Sequence, residues 1–231
     1  MLNLSEELSL ARETGELYRR EEEQRVARGE LPWDNYGNYS HYVNKFSRVL
    51  SPDKWLGSGT PAAVLEVCGP LDFVRGLALD GLRLGVAVTL RDFRGPGQKA
   101  ADTQQGLYLV EQNIWDDEAW VTEVSEKLKQ SGHPGFDLIV LNPVGGLIIQ
   151  TGVPGKQTIS PSFRLQHRLL NQMWTLGNSR QSIVLAELYY RDPSEAWCDK
   201  LRKVGLTVTH EQTVYCVQGS RNLVAELPAL D

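Results

Sequence analysis

The stretch AAVLEVCGPLDFV, Ala62 to Val74, reads as a buried strand that runs into a tight turn and then into a helix. That order is the usual setting of a nucleotide-binding loop, in which glycines let a ligand approach the backbone closely. Here the turn has one glycine, Gly69, where such loops usually have three, and Leu71 and Asp72 occupy the following positions. Either the loop still holds a ligand, or the chain keeps a fold whose chemistry is gone.

Downstream of this stretch, short apolar runs alternate with amphipathic ones, the pattern of a parallel sheet with crossover helices. Strands are predicted at AVLEV, GVAVTL, GLYLVEQ, FDLIVLN and SIVLAELYY. FDLIVLN is the most apolar of them and is expected at the centre, buried on both faces. Helices are predicted from Asp72 to about Leu79, over DEAWVTEVSEKLKQ, from an N-cap at Ser160 to about Leu176, and over SEAWCDKLRKVG. The ending predicts an antiparallel hairpin, with LTVTHEQTVYCV and NLVAEL flanking the turn QGSR. The segment PVGGLIIQTGVPGKQTI is a long loop for a compact domain and so a functional candidate.

Upstream, Asn3 and Glu6 have capping-box spacing and predict a helix to about Ala27, with Leu4, Leu8, Ala11, Leu17 and Tyr18 along one stripe and Gly29 as its stop. So sparse a stripe suits a helix that lies over the main domain or docks on a partner, a second copy or another protein. Tyr39, Tyr42 and Phe46 follow at helical spacing, in a segment dense in aromatics. The tip DNYGNY is a turn whose Tyr36 and Tyr39 are suited to closing over a substrate. Residues 1–60 are thus expected to form a helical and aromatic cap, and residues 61–231 a single α/β domain.

With 231 residues, 41% of them hydrophobic and 23% charged, the chain has the composition of a soluble globular domain, and no apolar run reaches the ~20 residues of a membrane span. The net charge of −5 argues against general binding to nucleic acid, and YRR at 18–20 and KLRK at 200–203 read as solvated faces. Three dispersed cysteines fit a reducing cytoplasm better than a disulfide framework, and neither they nor the four histidines have metal-ligand spacing.

In an open parallel sheet, ligands bind beyond the carboxyl ends of the strands where the strand order reverses. That rule selects Glu66, Cys68, Gly69 and Pro70 after the first strand, Asp92 after the second, Asn113 and Ile114 after the third, and Asn142 with Pro143 after the fourth. Asp92 follows Gly69 by about the twenty residues at which a carboxylate reaches a pair of ribose hydroxyls. Each residue also has a structural reading: Glu66 as a cap or ion-pair partner, Cys68 as a small core residue, Asp92 and Asn142 as turn formers.

At these residues the chain resembles the class I S-adenosylmethionine-dependent methyltransferases, over roughly Trp33 to Leu227. VLEVCGP is similar to the family's first motif, LRDF to the second, EQNIWDD to the third and FDLIVLNP to the fourth, and PWDNYGNYSHYV resembles an aromatic segment found in many members. The resemblance implies a Rossmann-like methyltransferase fold: a seven-stranded, mostly parallel sheet with an antiparallel last strand, helices on both faces and a helical N-terminal extension. It also implies bound S-adenosylmethionine. Glu66 would face the methionine amino end, Cys68, Gly69 and Pro70 would pass under the ligand, and Asp92 would hold the ribose. Phe93 would flank the adenine, Asn113 and Ile114 would contact its edge and face, and Asn142 with Pro143 would border the reacting centre. The expected activity is methyl transfer to a small-molecule or protein acceptor. The alternative is an inactive methyltransferase-like binding or scaffolding subunit with an eroded cofactor loop.

Overall fold

The computed structural model describes residues 2–31, 39–56, 62–78, 81–116, 118–141, 147, 149–150, 158–188 and 194–229. In chain order the elements are α1 (Leu4–Ala27), α2 (Tyr39–Phe46), α3 (Asp53–Leu56), β1 (Ala63–Val67), α4 (Asp72–Ala78), β2 (Leu84–Thr89), α5 (Pro96–Gln104) and β3 (Leu107–Glu111). There follow α6 (Ala119–Ser131), β4 (Leu138–Leu141), β5 (Ile149–Gln150), β6 (Thr158–Ile159), α7 (Phe163–Thr175), β7 (Ser182–Glu187), α8 (Ser194–Lys203), β8 (Thr207–Glu211) and β9 (Val214–Gly219).

Seven strands form one sheet in the order β3-β2-β1-β4-β7-β9-β8. All contacts are parallel except those of β9, which runs antiparallel to both β7 and β8. This is the strand order of the Rossmann-like methyltransferase fold. It reverses between β1 and β4, so the crevice at their carboxyl ends is the place for a ligand.

Alternation along β1 divides the core. Ala63, Leu65 and Val67 face a layer that includes Trp120 and Val124 of α6, Leu169 and Trp174 of α7 and Trp197 of α8. Val64 faces the opposite layer with Tyr42 and Phe46 of α2 and Phe73, Val74 and Leu77 of α4. Every residue of β1, β2 and β4 is buried, as strands covered on both faces require.

The capping box at Asn3 and Glu6 forms, and Gly29, with φ of +81°, ends α1 in the left-handed conformation that glycine adopts without strain. The expected stripe of α1 forms in part: Ala11 is buried and Leu4 and Leu8 pack half-buried against the core, while Leu17 is exposed. Glu7, Thr14, Gly15 and Glu22 are buried beside them, so polar contacts with the sheet edge share that face with the leucines.

The structure departs from the predicted elements in four places. The hairpin is β8–β9 about the turn Gln212–Thr213, with Gln212 left-handed at φ +54°, and NLVAEL is not a strand. Instead Val224 and Leu227 seal the core as a tail, held where the Trp174 Nε1–H donates to the Val224 carbonyl at 2.7 Å. The N-cap of α7 is Ser162, not Ser160, and its hydroxyl accepts from the Leu165 amide at 3.3 Å. Helix α5 had no counterpart among the predicted elements, and part of the long 143–159 loop pairs as β5–β6.

Trp174→Phe leaves the buried Val224 carbonyl without its donor and opens a small void, and is expected to lower the unfolding free energy by about 2 kcal/mol in urea titrations.

Candidate functional site

The turn after β1 is drawn tightly against β2, because the amides of Cys68 and Gly69 both donate to the Val88 carbonyl, at 3.0 and 3.3 Å. Cys68 at φ +64° and Leu71 at φ +80° are left-handed without being glycine, a conformation that costs on the order of 1 kcal/mol each and collects at ligand clamps. Gly69 is required for a packing reason. A Cβ there would lie 1.9 Å from the Glu66 side chain, which folds back beneath the turn. Glu66 is fully buried, and its Oε1 accepts from the Tyr42 hydroxyl at 2.9 Å.

Beyond β2, the Asp92 carboxylate accepts from the Arg94 amide, Nε and Nη2, each at 3.0 Å, and pairs with Lys99 Nζ at 3.1 Å. Burial pushes this carboxyl up, but these donors outweigh it and its pKa lies below the ordinary value. Arg94 also donates to Asp102 at 2.6 Å, Asp102 accepts from Arg75, and Arg75 reaches Asp72 at the start of α4. A chain of five alternating charges therefore ties the turn after β2 to the turn after β1. Phe93 is half-buried beside it.

After β3, Asn113 is 8% exposed and both ends of its amide are engaged. Its Nδ2 donates to the Arg12 carbonyl of α1 at 3.1 Å, and its Oδ1 accepts from the Trp115 amide at 3.1 Å. Arg12 Nε donates in turn to the Trp115 carbonyl at 2.8 Å, and Ile114 is buried alongside.

At the end of β7 stands a pair that sequence reasoning missed. Glu187 and Lys45 of α2 form an ion pair at 2.7 Å, with only 13% and 18% of their side chains exposed. Tyr42 and Lys45 are three residues apart on α2, so one helix face braces an acid on β1 and another on β7, on either side of the β4 end. The i, i+3 spacing was visible in SHYVNKF; its acidic partners, far along the chain, were not.

Of the sequence-predicted site residues, Glu66 is the last but one of β1, and Cys68, Gly69, Pro70, Asp92, Phe93, Asn113 and Ile114 lie just beyond the carboxyl ends of β1, β2 and β3. Tyr39 opens α2 and stacks on Phe73 with centroids 5.9 Å apart, its ring so close to Gly76 that a Cβ there would meet it at 2.4 Å. Tyr36, Asn142 and Pro143 lie outside the described residues. A cleft of about 460 Å3 between Leu4, α7 and Ala229 contains none of the predicted residues. Burial raises the thiols of Cys198 and Cys216 to about 11, which makes neither a nucleophile. Among the described residues no group of three or more His, Cys, Asp or Glu is placed to hold a metal ion, and no helix is long and apolar enough to cross a membrane.

No protein-family profile matches the sequence, and no curated protein matches it. Solved structures do resemble it. N-methyltransferase NodS from Bradyrhizobium japonicum, in complex with S-adenosyl-L-homocysteine, superposes with a TM-score of 0.43 at 14% identity, over 81% of this chain and 90% of its own. The plantazolicin methyltransferase BpumL, in complex with a pentazolic desmethylPZN analog and S-adenosylhomocysteine, gives 0.44 at 12%, over 84% and 63%. The 1,6-didemethyltoxoflavin-N1-methyltransferase from Burkholderia thailandensis gives 0.40 at 15%, over 70% and 71%. Two further methyltransferase structures are spanned over only 44% and 45% of their length. Similarity this distant transfers no residue's role, so the site rests on the geometry above.

Asp102 supplies a pH test of the charge chain. Burial would raise its carboxyl, but hydrogen bonds from Arg75, Arg94 and Gln98 hold it at about 2, below the ordinary 3.8. A folded-state value below the unfolded one stabilises above about pH 4, and the contribution is lost as pH falls toward 2. Asp102→Asn is expected to destabilise by about 2 kcal/mol at pH 7, with the deficit shrinking between pH 4 and 2 when denaturant midpoints are measured across that range.

Proposed function

We propose that the chain binds S-adenosylmethionine at the carboxyl edge of β1, β2 and β3 and transfers its methyl group to a small-molecule or protein acceptor. One observation carries this reading. At the point where the strand order reverses, the turn after β1 holds two non-glycine residues in left-handed conformations above a fully buried carboxylate. A fold meets such costs where a ligand is to be gripped. A buried carboxylate with a phenol donor on one oxygen also fits a cationic amino group, as the cofactor's methionine end requires.

When bound, S-adenosylmethionine supplies an activated sulfonium methyl, so the chain's own work is to align the acceptor and exclude water. In this reading Glu66 holds the amino end, with Tyr42 fixing its orientation. Cys68, Gly69 and Pro70 form the floor of the site. Asp92 and Phe93 serve the ribose and the adenine flank, and Asn113 with Ile114 the adenine edge and face. Asn142 with Pro143 borders the reacting centre, and Tyr36 and Tyr39 are assigned to the acceptor side. The Lys45–Glu187 pair lies next to β4 on that same side and gives it a charged, largely enclosed wall. The net charge of −5 favours a small molecule or a protein side chain over nucleic acid as acceptor.

A second reading, a methyltransferase-like binding subunit, is favoured by a different observation: Asp92 and Asn113 already have protein partners where a cofactor would seek them.

Calorimetry separates the two. The enzyme reading expects heat with S-adenosylmethionine and S-adenosylhomocysteine but none with NAD, and an affinity about tenfold weaker for Glu66→Gln, or about 1.4 kcal/mol. No binding of either sulfur ligand at about millimolar concentration, which means weaker than ~4 kcal/mol, would leave the binding subunit as the better account.

A further inference from the structure

Helix α1 lies across the carboxyl edge in a manner unlike the other long helices. Whereas α6 and α7 bury tryptophan and leucine, the buried positions of α1 are Glu7, Ala11, Thr14, Gly15 and Glu22. Its attachments follow the edge from end to end. Glu7 accepts from the Ser162 amide and hydroxyl at the start of α7. Arg12 bonds the Trp115 carbonyl and its own carbonyl accepts from Asn113, while Glu23 pairs with Arg91 beyond β2 at 3.2 Å. Gly15 sits so close over Asn113 that a Cβ would meet its Nδ2 at 2.3 Å. The helix is thus held by a band of hydrogen bonds and ion pairs, which exchange with water at little net loss, together with an apolar contact of Ala11 and the half-buried Leu4, Leu8 and Leu10 with the main core.

We propose that α1 is an autoinhibitory lid: docked, it takes up the Asn113 amide and closes the adenine end of the cofactor site, and it must lift for the nucleoside to reach that amide. The inference rests on the cofactor reading above. With α1 docked, Asn113 does not reach a second partner: one Nδ2 hydrogen goes to Arg12, Oδ1 accepts from Trp115, and Gly15 packs so tightly over Nδ2 that it covers the remaining hydrogen. Binding of the nucleoside and undocking of α1 are therefore linked, and each favours the other. Glu7, at the opposite end of the contact, acts on the same equilibrium from a distance, since releasing it from Ser162 removes a latch without touching Asn113.

Two full-length variants test the lid, with S-adenosylhomocysteine as the probe. Gly15→Ala replaces a poor helix former with the best one, so α1 stays helical, while the new methyl group drives it off Asn113. Glu7→Ala releases the distant latch and leaves Gly15 in place. Both are expected to bind S-adenosylhomocysteine about tenfold more tightly than the wild type by calorimetry, because the competent fraction rises. In the wild type, saturating S-adenosylhomocysteine should speed amide hydrogen exchange in residues 4–27 while the sheet stays protected. Equal or weaker binding by both variants, or slower exchange in α1 on ligand addition, overturns the lid and makes the helix a fixed wall. If neither the wild type nor the variants bind S-adenosylhomocysteine, the cofactor reading falls, and the lid falls with it.

Discussion

The three central strands are held in register by one carboxylate. Asp137, just before β4, accepts through Oδ2 from the amides of Ala62 and Ala63 at the start of β1, and through Oδ1 from the Asn178 side chain ahead of β7. Its own amide and carbonyl extend the same ladder, to Ala63 and from Ile183. Nearby, Gly135 packs on the Gly177–Asn178 backbone so closely that a Cβ would lie 2.4 Å from the Gly177 carbonyl oxygen. A one-residue slip of β4 would exchange its two buried faces and take the strand ends out of line. Everything at the carboxyl edge depends on the amino edge being pinned in this way.

At that carboxyl edge, each acid near the crevice has a donor from another element. Glu66 takes Tyr42, Asp92 takes Arg94 and Lys99, and Glu187 takes Lys45. Removing an ionised group from water is costly unless it is paired, so a site with several carboxylates on buried strand ends must carry its own cations and hydroxyls. These partners come from α2, which Tyr42 and Phe46 also anchor in the apolar layer, and from the β2–α5 segment, whose place is set largely by the charges it meets. The same economy explains the polar part of the inward face of α1, Glu7, Thr14 and Glu22.

The readable parts of the fold were those governed by local rules. The β1, β2 and β4 strands are continuous apolar runs, and the Asn3–Glu6 capping box and Gly29 mark both ends of α1 from side-chain chemistry alone. Helix α5 carries no apolar signature in the sequence because its buried residue is Asp102, a charge held by Arg75 and Arg94. The final hairpin differs from the expected one because its turn uses Gln212 in a left-handed conformation, with no glycine or asparagine, while the glycine of QGSR lies at the end of β9. Gly69 was legible as a position needing glycine, but the reason differs: Glu66 fills the space that a ligand was expected to need.

The sequence by itself determined which residues reach the carboxyl edge, because strand periodicity and the order of strands and helices place Glu66, Asp92 and Asn113 at successive strand ends. Only the tertiary structure decided what those residues touch. Tyr42 and Glu66 are 24 positions apart, Arg12 and Asn113 are 101 apart, and Lys45 and Glu187 are 142 apart. Pattern along a chain reports the environment of each residue, but hydrogen bonds between distant segments depend on side-chain geometry that exists only once the sheet has closed.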